Sequence, residues 1–111
     1  MRAVLAAALA LLLAPPFAAR ADDLGRRVFT QIAQPSCALC HTLEAAGATG
    51  TVGPSLDELK PDRERALHVL RHGSGVMPPF ADKLTPEQIE AVAAFVARAA
   101  GGEAGSGASS R

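Results

Sequence analysis

The run Cys37-Ala38-Leu39-Cys40-His41 uses both cysteines of the chain within five residues. No further cysteine remains to staple distant segments together. With 111 residues, no Trp, no Tyr and four Phe, the chain can build one small domain at most. A domain of that size usually needs a disulfide framework, a metal or a cofactor to complete its core. Lys plus Arg (11) balances Asp plus Glu (11), so no basic field exists to hold a nucleic-acid backbone. Nucleic acid is therefore not an expected partner.

The amino terminus inflates the 49% hydrophobic content. Arg2 is followed by an unbroken apolar run from Ala3 to Ala14, then Pro15-Pro16, then the small residues of Ala19-Arg20-Ala21. This pattern is that of a secretory signal peptide over residues 1–21, with the mature chain starting at Asp22. The run falls short of the ~20 apolar residues that cross a bilayer, so no membrane span is expected after cleavage. Loss of Arg2 and Arg20 leaves a slightly acidic mature protein, and export points to the periplasm. Residues 101–111, rich in Gly, Ser and Ala, are expected to form a flexible tail. The folding unit is then 22–100.

Three segments carry a helical period, and no segment reads as a convincing strand. In the first, Leu24, Val28 and Ile32 recur every four residues, Gly25 and Phe29 share a neighbouring face, and Pro35 ends the pattern. In the second, Pro61 stands at the first helical position, and Ala66, Val69 and Leu70 form a stripe stopped by Gly73. The third opens with Thr85-Pro86-Glu87-Gln88, a capping box, and continues through Ile89, Val92, Phe95 and Val96 to Gly101-Gly102. Between them lie connectors rich in turn residues, including Gly47, Gly50 and Gly53. The fold class is all-α, with three main helices and long loops.

Two thiols separated by two residues can add across the two vinyl groups of a haem, while the adjacent imidazole reaches its iron from one side. A thiol-exchange site is the first rival, but such sites open a helix in a βαβ context, and no strand precedes this one. Zinc is the second, because His68 and His72 lie four apart on one helix and make a formal Cys2His2 set with Cys37 and Cys40. The separation of Cys40 from His68 is far from finger spacing, and the two histidines also read as ordinary solvent-facing residues. For a second axial ligand the chain offers Met77, His68 and His72. Met77 stands in Gly75-Val76-Met77-Pro78-Pro79-Phe80, a restrained loop without a helix face for a thioether to fill.

These residues resemble those of a small class I cytochrome c, over nearly all of Asp23 to Ala100. Gly25 and Phe29 resemble the Gly-x-x-x-Phe of that family's first helix, and Cys37, Cys40 and His41 its attachment motif. Gly53-Pro54-Ser55-Leu56 is similar to its Gly-Pro-Asn-Leu stretch, with Ser55 in place of Asn. The resemblance implies a cytochrome c fold around one covalently attached haem c, with His41 and Met77 on the iron. It also implies a Pro54 carbonyl that accepts from the His41 ring and a Leu56 that packs on the haem. With no Trp or Tyr to bond a haem propionate, Arg63, Arg65 and Arg71 are the candidates.

An iron with both axial positions filled favours electron transfer over catalysis, and a thioether ligand favours a fairly positive potential. The expected function is that of a diffusible periplasmic one-electron carrier, not an enzyme, between redox proteins such as a dehydrogenase, an oxidase or a membrane electron-transfer complex. Ala38, Val76, Pro78 and Pro79 are expected to form a weakly charged docking patch, with Lys60, Arg71 and Lys83 around it. An alternative is a haem subunit of a periplasmic oxidoreductase, since Cys37 to Leu43 with Gly53 to Leu59 also looks similar to cytochrome subunits of sulfite dehydrogenases. A third is a gas-binding or sensory haem protein, which requires Met77 to leave the iron.

Overall fold

In the computed structural model, which describes residues 16–103, the two terminal helices cross at a glycine. Helix α1 (Phe17–Arg27) packs across α5 (Pro86–Ala100) at Gly25, where an added Cβ would collide with the carbonyl oxygen of Ala91 and with the Cβ of Phe95. One turn on, Phe29 meets Phe95 edge to face, with ring centroids 6.2 Å apart and an interplanar angle of 63°. Arg26 lies over the same Phe95 ring at 5.1 Å from its centroid. Small residue and aromatic pair thus act as one device, in which the close backbone approach brings the rings together. Asp22 pairs with Arg98 across the same two helices.

Between them the chain forms α2 (Cys37–Cys40), β1 (Thr42–Leu43), β2 (Ala48–Thr49), α3 (Leu56–Leu59) and α4 (Arg63–His72). The helical expectation holds. The structure adds a two-residue antiparallel ladder, Thr42 opposite Thr49 and Leu43 opposite Ala48, too short to leave an alternating pattern in the sequence. A core of Val28, Phe29, Leu43, Leu67, Val92 and Phe95, among others, is buried under the helices.

Three details depart from the periodic reading. Ile32 is 36% exposed while Ala33 is fully buried, because Val28–Ile32 is a wider π turn in which the Ala33 N–H donates to the Val28 carbonyl (3.0 Å). One extra residue per turn rolls Ile32 out of line with Val28. Pro61 is buried but lies outside α4, whose cap is Asp62: its carboxylate accepts from the backbone N–H of Arg65 at 2.8 Å. The α4 stripe also divides. Leu67 and Leu70 are buried, whereas Ala66 and Val69 are half-buried along a cleft. Leu67 was absent from the predicted stripe.

The capping box of α5 is complete, with the Gln88 N–H donating to Thr85 Oγ1 (3.1 Å) and the Thr85 N–H to Gln88 Oε1 (2.9 Å). After α5, Gly101 turns at φ +86° and Gly102 is buried against Pro61. Most of the expected leader, 1–15, and residues 104–111 of the expected tail lie outside the described residues. Among the described residues no helix is long and apolar enough to cross a membrane.

Candidate cofactor site

Helix α2 is a single turn. The His41 N–H donates to the Cys37 carbonyl at 3.0 Å, which ends the turn and swings residue 41 into extended backbone. This presents Cys37, Cys40 and His41 to one cleft. The turn is seated on glycine backbone: a Cβ at Gly50 would come within 2.6 Å of the Leu39 carbonyl oxygen. Thr42 Oγ1 donates to the Gly50 carbonyl at 2.8 Å. Of the loop glycines read as turn residues, Gly47 is a true turn (φ +63°), whereas Gly50 and Gly53 are sites of close approach.

His41 Nδ1 lies 2.7 Å from the Pro54 carbonyl oxygen. A carbonyl only accepts, so Nδ1 carries the proton and Nε2 keeps the lone pair. Gly53 lies over the ring, where a Cβ would be 2.7 Å from Cε1, and its N–H donates to the Cys40 carbonyl. The Pro54 bond expected from the resemblance is therefore present in the structure. Ser55 caps α3 by accepting from the Glu58 N–H, and Leu56, 8% exposed, lines the cleft from that short helix. The Asp57 carboxylate accepts from the Glu44 N–H at 2.9 Å and ties α3 to the turn that follows β1.

On the opposite side of the sequence, Met77 ends a tight reversal. Ser74 and Met77 exchange both backbone bonds (3.0 and 2.9 Å) around Gly75 at φ +56°. A Cβ at Gly73, φ +75°, would stand 2.8 Å from the Met77 carbonyl oxygen. The Phe80 N–H donates to the Leu70 carbonyl at 2.7 Å, and Phe80 is buried, so the loop is anchored at both ends. Met77 is half-buried and lines the same cleft as His41.

That cleft has a volume of about 510 Å³, within the ~300–1,000 Å³ of ordinary cofactor sites. Its floor is apolar, with Phe29, Leu70, Val92 and Val96 among its residues. All six sequence-predicted site residues, Cys37, Cys40, His41, Pro54, Leu56 and Met77, line it. Two thiols, an imidazole with one nitrogen free and a thioether around an apolar floor form a donor set that fits a haem. The cysteines are free thiols, and burial pushes Cys37 up to about 11, with Cys40 adding a smaller rise against the opposing pull of the Cys37 backbone N–H. At neutral pH Cys37 is a neutral thiol, the opposite of what thiol exchange requires.

The remaining candidates separate. His68 and His72 are exposed neighbours on α4, and among the described residues no group of three or more His, Cys, Asp or Glu is arranged to hold a metal ion. Arg63 and Arg71 both pair with Glu90 of α5, while Arg65 lines the cleft. Val76 is 88% exposed and, with Pro78, lines the cleft mouth; Pro79 is exposed and Ala38 half-buried. The sequence reading missed Val52, 69% exposed on the same lining; it sits in a Gly-rich loop without periodicity.

Residues 20–96 match the family described as cytochrome c oxidase, cbb3-type, subunit III. The chain is 36% identical over 104 residues to cytochrome c6 of Thermosynechococcus vestitus, covering 84% of this chain and 85% of that protein. It is 37% identical over 73 residues to the cbb3-type cytochrome c oxidase subunit FixP of Sinorhizobium medicae, covering 55% of this chain and 25% of FixP. Among solved structures, the c-type cytochrome SorU from Sinorhizobium meliloti superposes with a TM-score of 0.71 at 51% identity, covering 74% of this chain and 93% of that one.

Proposed function

The chain belongs to the c-type cytochromes and transfers electrons through a covalent haem c, and from that premise we propose which residues hold the haem and where the protein works. Cys37 and Cys40 would form the two thioether links, and His41 Nε2 and Met77 Sδ would hold the iron. The bound haem iron supplies a one-electron couple. The protein's own residues keep that couple simple. The Pro54 carbonyl fixes the tautomer and orientation of His41, and the anchored 73–80 loop holds Met77 at the same cleft, where its thioether would occupy the iron and exclude a substrate.

What carries this reading is that Met77 and His41, thirty-six residues apart in sequence, line one apolar cleft together with both cysteines. The apolar surroundings disfavour the extra positive charge of the ferric state, which together with a thioether ligand supports a fairly positive potential. The protein acts as a diffusible carrier in the periplasm after removal of residues 1–21, docking with its redox partners through the weakly charged mouth around Val76, Pro78 and Pro79. A pyridine haemochrome spectrum of the exported protein tests the attachment: two thioethers per haem are expected, and a single one would remove Cys37 or Cys40 from the role.

A second reading is a haem-bearing subunit of a periplasmic oxidoreductase. It is favoured by the likeness of Cys37 to Leu43 and Gly53 to Leu59 to sulfite dehydrogenase cytochrome subunits, and by the FixP match, which is to an oxidase subunit. Co-purification with a larger catalytic subunit decides between the two.

A further inference from the structure

Among the residues that line the cleft, Arg65 alone carries a fixed charge. Its neighbours on α4 are engaged elsewhere: Arg63 and Arg71 both reach Glu90 on α5. Arg65 forms no ion pair with a described residue, and the nearby Asp62 carboxylate is turned to the Arg65 backbone N–H to cap the helix. An arginine at the mouth of a mostly apolar cleft, with no carboxylate among the described residues to answer it, fits a carboxylate brought by the ligand. A haem carries two such groups, its propionates.

We infer that the Arg65 guanidinium pairs with a haem propionate, and that Arg63 and Arg71 do not. The inference rests on the haem reading above. The pair makes Arg65 a positioning residue: it would hold the haem through that propionate and offset the propionate's negative charge. Loss of that positive charge favours the ferric form, so the potential falls.

The test compares the reduction potential of the holoprotein with that of Arg65→Gln, Arg65→Lys and Arg63→Gln. A fall in Arg65→Gln, recovered in part by Arg65→Lys and absent from Arg63→Gln, is expected. An Arg65→Gln protein with the wild-type potential overturns the inference. In the wild-type ferrous holoprotein, where folding of a variant is not at issue, the Arg65 Nε–H should exchange with solvent more slowly than a free guanidinium; exchange at the free rate overturns it as well. A pyridine haemochrome spectrum of the same samples separates the two levels, because absence of covalent haem overturns the underlying reading and not only the role of Arg65.

Discussion

Nδ1 of His41 lies 2.7 Å from the carbonyl oxygen of Pro54, so one backbone acceptor decides which imidazole nitrogen is left for a metal. The geometry depends on a missing Cβ at Gly53, which would stand 2.7 Å from the ring. Gly53→Ala is expected to tilt the ring off Pro54 and to destabilise the holoprotein by about 1–3 kcal/mol, the usual cost of overpacking. Thermal unfolding followed by haem absorbance checks it; an unchanged midpoint would mean that the ring moves without resistance.

Gly25→Ala tests the crossing of α1 and α5. Alanine would normally stabilise a helix interior by up to ~1 kcal/mol relative to glycine. Here its Cβ meets the Ala91 carbonyl and Phe95, so the sign reverses. A loss of about 2 kcal/mol, a fall in midpoint of roughly 8–16 °C for a domain of this size, is expected in a thermal melt.

The crossing was legible in the sequence because Gly25 and Phe29 stand one turn apart, and the α5 box because Thr85 and Gln88 answer each other three residues apart. The Cys37–His41 turn was equally local. What escaped was set by distant partners or by a change of helical pitch. Ile32 turned outward at a π turn, and Pro61 gave way to Asp62 as the start of α4. The roles of Gly50 and Gly53 depend on residues that fold back over them, Leu39 and His41, which no window of sequence displays. The division of the arginines was also invisible, since it depends on Glu90 of another helix.

Val76→Glu tests the mouth of the cleft. The side chain is 88% exposed, so stability should change by no more than ~0.5 kcal/mol. Oxidation of the ferrous protein by ferricyanide should slow several-fold at low ionic strength and approach the wild-type rate at high salt, because the added charge repels the anionic oxidant within a Debye length. Val76→Lys should accelerate it. Stopped-flow rates across a salt series check both, and equal rates for all three proteins would move the electron's exit away from Val76.

Met77→Ala is expected to open an axial position. The ferrous variant should bind carbon monoxide without denaturant, and its potential should fall well below that of the wild type. The 73–80 loop keeps its backbone bonds, so the fold should survive the change.

The ligation itself is read most directly from the proton NMR spectrum of the ferrous holoprotein labelled at its methionine methyls. Of the two methionines in the sequence, Met1 and Met77, it is Met77 that lines the cleft. If its sulfur is on the iron, the methyl group lies over the haem face, and its resonance is shifted far upfield and stays there when carbon monoxide is added. A Met77 methyl at an ordinary position, or one that moves as carbon monoxide binds, would contradict the account.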